Sequence, residues 1–355
     1  MISSLRLQHF RGFSDAQFEF EPGVNIIVGP NASGKTTILE ALLLLAGDGT
    51  FKGQDADLIS YGTEWLRADA NLESAVRTVK MKRVDEEHTV KEYELDGVKK
   101  LRLSPAQHLP VVLFEPQDMN LLVSDPAGRR EYMDRILSVT KPGYAALVKN
   151  YRRALSQRNK LLKQIASRGG AGMSELFVWD LRLSELGGAV YTARKGLVLT
   201  LSASFAQAYD TIASKQEPAD VLYDTPITAA DYTTALLKKL SSSYEKDLLR
   251  GFTGAGPHRD DLVITLRGHD ARTGASRGET RSLLLALKLL ELQEVEKAFQ
   301  EKPLLLLDDV FSELDGQRRR SLATAVKGYQ TFITTTDVDI IVEHFTDKAR
   351  IIAML

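Results

Sequence analysis

The chain has 355 residues, a formal net charge of -1 and no cysteine. That length allows two domains or one large elaborated one with a full core, while the missing cysteine excludes disulfides, thiolate zinc sites and cysteine nucleophiles. A near-neutral balance excludes a uniformly basic nucleic-acid binder, no apolar run reaches the roughly 20 residues that span a bilayer, and the first residues lack the regions of a signal peptide, so a cytoplasmic protein is expected.

In chain order, alternation at Leu5, Leu7, Phe18 and Phe20 predicts an antiparallel β layer. An apolar run (Val24, Ile26, Ile27, Val28) then leads into Gly29, Pro30, Asn31, Ala32, Ser33, Gly34, Lys35 and Thr36, which spell the P-loop pattern G-x-x-x-x-G-K-S/T. A helical run follows through Ile38, Leu39, Ala41, Leu42 and Leu45. Glycines let the backbone curl so that N–H groups converge on phosphate oxygens, and the helix directs its positive end at them. Lys35 supplies the point cation and Thr36 the hard oxygen for Mg²⁺, with Thr37 next to them. The expected ligand is a nucleoside triphosphate.

From Lys141 to Arg168 every charged residue is basic. At about 100° per residue, Leu147, Tyr151, Leu155, Leu162 and Ile165 share one side of a helix, and Lys149, Arg152, Arg153, Lys160 and Lys163 the other. Such a row suits phosphates better than base edges and predicts salt-sensitive, sequence-independent DNA binding. A merely solvated face is the plain alternative, and basic amphipathic helices also serve partner proteins and membranes. Gly169-Gly170-Ala171-Gly172 reads as a turn into a second helix over Leu176 to Ile212, forming an antiparallel hairpin arm whose second limb Gly187-Gly188 would loosen.

His258 and Arg259 stand in a Gly-Pro-His-Arg-Asp-Asp cluster, read either as a turn whose Asp and His pair locally or as a site near nucleotide or DNA. Ser276-Arg277-Gly278 opens a further helical run at Leu283, Leu284, Leu287 and Leu290. That helix end is a second anion site, and since one site accommodates two helix N-termini around a single γ phosphate only awkwardly, a second subunit is the natural partner. Leu304 to Leu307 followed by Asp308-Asp309 reads as a buried parallel strand ending in carboxylates. Asp308 would hold Mg²⁺ opposite Thr36, and Asp309 would orient or deprotonate the attacking water.

Together these residues resemble the ATP-binding-cassette superfamily, within it the head domains of SMC-type chromosome proteins, and most nearly the RecF family of bacterial DNA-repair ATPases. The resemblance spans the chain: Leu5 to Arg11, Phe114-Glu115-Pro116-Gln117-Asp118, Arg129 to Arg135, Gly256 to Leu262, the Ser276 signature, Asp308 to Asp315 and Thr334-Thr335-Thr336-Asp337. It implies an ATP-driven head-to-tail homodimer with Ser276 and Gly278 acting in trans. It also implies nucleotide contacts by Arg11 and Asn31, a Mg²⁺- and γ-phosphate-sensing Gln117, and Thr336 at the switch before the last strand. Asp309 and Thr336 stand where transporter-like cassettes have Glu and His, which predicts slow hydrolysis.

The expected architecture is an α/β ABC/SMC-type ATPase head from residues 1–114 and 252–355, with a P-loop parallel core beside the antiparallel layer. A helical domain, 115–251, is inserted between them. The expected function is a weak DNA-stimulated ATPase that clamps duplex, gapped or junction DNA, and the resemblance further implies that it works with RecR and RecO to load RecA. A transport ATPase subunit and an ATP-binding scaffold without turnover are the rival readings.

Overall fold

The structure, a computed structural model, describes residues 1–354 except 52, 74, 86–87, 124, 169–172 and 338–348. The chain divides into two compact units, Met1–Asp118 with Glu291–Leu355, and Met119–Leu290.

The first unit contains β1 (Ile2–Phe10), β2 (Phe13–Glu19), β3 (Val24–Val28), α1 (Lys35–Ala46), β4 (Trp65–Leu72), β5 (Val76–Arg83), β6 (Thr89–Leu95), β7 (Val98–Lys100) and β8 (Val111–Phe114). Six of these strands form an antiparallel sheet ordered β2-β1-β4-β5-β6-β7. Alternation sends Leu5 and Leu7, Leu66, Ala68 and Ala70, and Val79 and Met81 to one buried face. That face meets α1, whose other side lies on the second sheet. Enclosure on both sides explains why Ile38 to Ala46 is buried all round rather than along a single stripe.

The second sheet, ordered β14-β3-β13-β12-β8, is parallel throughout. It uses β3 and β8 together with β12 (Leu304–Asp308), β13 (Thr331–Thr335) and β14 (Ala349–Ala353) from the far end of the chain. All five residues of β12 are buried, as its leucine run requires of a strand covered on both faces.

The second unit holds α2 (Pro126–Thr140), α3 (Tyr144–Ser167), α4 (Met173–Ala213), β9 (Ala219–Asp224), α5 (Tyr232–Ser242), α6 (Tyr244–Arg250), β10 (Asp261–Leu266), β11 (His269–Asp270), α7 (Ala271–Gly274) and most of α8 (Arg277–Phe299). It is more than a helical insert. The expected division at 251/252 groups Leu262 to Leu266 with the P-loop, whereas here β10 pairs antiparallel with β9 along its whole length.

The basic helix and its successor do pack together as α3 and α4. However, α4 is embedded rather than a bare arm: it also packs on α5 and β9, and Val190, Leu197, Leu201 and Phe205 share a core with Leu262 and Ile264. Gly187-Gly188 does not loosen it, since the helix runs unbroken for 41 residues. A Cβ on Gly188 would lie 2.1 Å from Thr233 Oγ1, and one on Gly187 would lie 2.8 Å from Leu236 Cδ2. The pair is therefore a notch that lets α5 approach. The turn expected at 169–172 lies outside the described residues.

Candidate nucleotide site and basic helix

β3 delivers the chain to Gly29, where a Cβ would come 2.7 Å from the Met354 carbonyl oxygen. The loop then turns through Ala32 (φ +67) and Gly34 (φ +92), left-handed conformations that curl it over the start of α1. Lys35 Nζ donates to the carbonyls of Gly29 and Pro30, at 2.7 Å each. Ser33 Oγ is buried in this cradle with no partner among the described residues. A curled glycine loop at a helix N-terminus, with a lysine and an unspent hydroxyl, fits a polyphosphate.

The carboxylates arrive on the neighbouring strands. Because β12 and β13 pair in parallel with Asp308 beside Thr334, the Thr334 hydroxyl donates to Asp308 Oδ1 at 2.8 Å. Thr36 Oγ1 donates to the same oxygen at 2.9 Å, although 272 residues separate the two. A buried carboxylate and a threonine hydroxyl in contact at a phosphate cradle are the hard oxygen donors that Mg²⁺ takes. Asp309 turns out of the strand at φ +51, its N–H held by Thr334 Oγ1 at 2.9 Å and its carboxylate accepting from Ser312.

Asn31, Ala32, Gly34, Lys35, Thr36, Thr37, Asp308, Asp309 and Thr336 line one cleft of about 350 Å³, together with Pro116 and Thr334. It opens at the carboxyl ends of parallel strands, where α/β sheets hold ligands. Two expected site residues stand elsewhere. Gln117 is exposed on the short helical turn Pro116–Asn120, and Pro116 rather than Gln117 lines the cleft. The Arg11 guanidinium makes a bidentate pair with Glu40 of α1, at 2.6 Å to each oxygen, and borders a separate cleft with Tyr61 and Arg83. Thr334, in contrast, lines the cleft although the sequence assigns it no role within the Thr334-Thr335-Thr336-Asp337 stretch; the β12–β13 register is what sets its hydroxyl against Asp308.

Ser276 and Gly278 lie in the second unit, at the start of α8. Ser276 Oγ accepts the Glu279 N–H at 3.3 Å and Glu279 Oε2 accepts the Ser276 N–H at 2.7 Å, a reciprocal capping box. The S-x-x-E spacing that signals it is present in the sequence.

On α3 the expected faces are observed. Tyr151, Leu162 and Ile165 are buried, while Lys149, Arg152, Arg153, Lys160 and Lys163 are exposed. Arg152, Lys160 and Lys163 line a groove of about 400 Å³ with Leu155, Ser156 and Asn159. The row is less uniform than the sequence suggests, because Arg152 also pairs with Asp134 of α2 at 3.2 Å. Arg158 is fully buried and binds Asp180 at 2.6 Å and Asp247 at 2.8 Å.

His258 does not pair with its neighbouring aspartates. Its Nε2 lies 3.0 Å from the Thr253 carbonyl and its Nδ1 2.6 Å from Tyr151 Oη. A carbonyl only accepts, so Nε2 carries the proton and Tyr151 donates to Nδ1. Burial pushes the imidazole down to about 4, and the nearby Arg259 and Arg130 act in the same direction. Asp260 instead accepts from Tyr223 at 2.7 Å.

A P-loop on a parallel core, with one helix enclosed beneath an antiparallel layer, defines an ATPase head of the SMC kind. The Smc head domain of Pyrococcus furiosus, bound to the C-terminal domain of ScpA, shares this fold at a TM-score of 0.54 and 16% identity, covering 100% of this chain and 94% of that one. A family described as AAA domain matches residues 4–168. The recombination mediator protein RecF-ATP of the RecFOR pathway aligns at a TM-score of 0.82 and 30% identity, over 95% of this chain and 92% of that one. The DNA replication and repair protein RecF of Lachnoclostridium phytofermentans is 32% identical over 362 residues, 99% of this chain and 97% of its own length. The chain belongs to the RecF family. Among the described residues no helix is long and apolar enough to cross a membrane.

Proposed function

We propose that this chain is an ATP-dependent DNA-binding clamp of recombinational repair. Two copies close head to tail on ATP, Ser276 and Gly278 of one copy meeting the γ phosphate held by Lys35 of the other, and the closed dimer grips duplex or gapped DNA through the exposed cations of α3. Thr36 and Asp308 would hold Mg²⁺, which would supply positive charge against the negative charge that develops on the phosphate oxygens. Asp309 orients water. Its short side chain, already bonded to Ser312, suits slow turnover. By family likeness, RecR- and RecO-type mediators would be partners in loading RecA, in the cytoplasm.

The observation that carries this reading is the convergence of Lys35, Thr36, Asp308, Asp309 and Thr336 on one cleft. It is tested by phosphate release with and without duplex DNA, in the wild type and in the triple variant Arg153→Glu, Lys160→Glu, Lys163→Glu. DNA should speed release by the wild type, and the variant should lose the response. Release indifferent to DNA in the wild type, or no release at all, overturns the clamp in favour of a transport-type ATPase or a scaffold respectively.

A further inference from the structure

We propose that Arg267 is a positioning residue for the signature serine: it holds the carboxylate that caps Ser276 and offsets the negative charge that this carboxylate brings to an anion-binding helix end. The inference rests on the reading that Ser276 meets the nucleotide of a second copy.

The capping box leaves Ser276 with a particular capacity. Its oxygen accepts from the Glu279 N–H, so its own hydroxyl proton remains to be donated, as a phosphate oxygen requires. The box has an electrostatic disadvantage, however, because Glu279 is an anion in the first turn of a helix whose positive end would receive another anion. Its carboxyl is held down to about 2 by Arg267 and the Ser276 N–H, so it is ionised at any working pH. Arg267 Nη1 donates to Glu279 Oε1 at 2.8 Å and to Glu217 Oε2 at 3.0 Å, placing one cation between two carboxylates. Without it both would stand uncompensated beside the approaching phosphate.

The backbone supports the same assignment. Arg267 and Gly268 form a two-residue turn between Leu266 and His269, with φ values of +54° and +78°. Such turns prefer Asn or Gly in their first place, and arginine there accepts strain. The Arg267 N–H is fixed to the Pro218 carbonyl at 2.7 Å, so the guanidinium projects from an anchored point. A strained arginine whose side chain bridges two acids has its rationale in that side chain.

The test is ATP-driven dimerisation followed by sedimentation, with KM and turnover from phosphate release, for Arg267→Ala, Arg267→Lys, Arg267→Ala with Glu279→Gln, and Ser276→Arg. Arg267→Ala should need about tenfold more ATP for half-maximal dimer, the scale of losing the partly exposed charge-assisted bond that compensates Glu279. Turnover at saturating ATP should change far less than KM. Arg267→Lys should recover most of the affinity, and so should Glu279→Gln in the Arg267→Ala background, because the unscreened charge is then gone. The proposal is overturned if Arg267→Ala dimerises like the wild type while Ser276→Arg does not, or if the double variant is as impaired as Arg267→Ala. Normal dimerisation of Ser276→Arg would instead overturn the trans reading, and Arg267 with it.

Discussion

Asp308 receives two hydroxyl protons, from Thr36 and Thr334, on a single oxygen. An asparagine oxygen can accept the same bonds but lacks the charge that holds a divalent cation. Asp308→Asn should therefore leave the melting temperature near that of the wild type and lower steady-state phosphate release by about 100-fold or more, the scale on which a preorganised charge acts in catalysis. Turnover within a few-fold of the wild type would remove Asp308 from the metal's coordination. A second residue-scale effect concerns acid. His258 stays neutral in the folded chain down to about 4, whereas in the unfolded chain it takes a proton below its ordinary 6.5. Between those values the unfolded state binds more protons, so stability falls as pH drops through the window from 6.5 to 4, by up to about 3 kcal/mol. His258→Gln should flatten that part of a denaturant-derived stability curve; an unchanged slope would contradict the account. Lys35 and Thr36 stand out in sequence because the P-loop is a fixed local pattern, and Asp308 because it ends an apolar run; that all three line one cleft is visible only in the fold. His258 was visible as a residue but not in its role, since its partner Tyr151 lies 107 positions away.

At the scale of elements, apolar periodicity located the faces of α3 and α4 and the enclosed strand β12, because burial imposes the 3.6- and 2-residue repeats directly. It did not locate the pairing of β9 with β10, a contact between segments some 40 positions apart whose register no local signal encodes. Glycine in a helix shows the same limit. In sequence, Gly187-Gly188 reads as flexibility, yet in space it is the floor on which α5 rests. Gly188→Ala would normally gain about 1 kcal/mol of helix propensity, but here the methyl group would collide with Thr233 Oγ1. Overpacking of this kind costs about 1–3 kcal/mol, so the variant should melt lower than the wild type. Adding Thr233→Ala should return most of the loss. A stabilising Gly188→Ala would show that α5 yields freely and that the notch has no packing role.

At the scale of the whole chain, the residues proposed to meet the nucleotide are divided: Lys35, Thr36 and Asp308 lie in one compact unit, and the capped Ser276 in the other. The family supplies an ATPase head and a place in DNA repair. In the proposed dimer the two halves are completed between copies. Mixing two inactive chains tests this most directly. Lys35→Ala lacks the phosphate cation and Ser276→Arg lacks the signature, so each alone should release phosphate at a small fraction of the wild-type rate. A heterodimer of the two contains one composite site with both wild-type halves and one with neither. The equimolar mixture should therefore regain a clear share of wild-type phosphate release. A mixture no more active than its components, with heterodimer demonstrably formed, would contradict it.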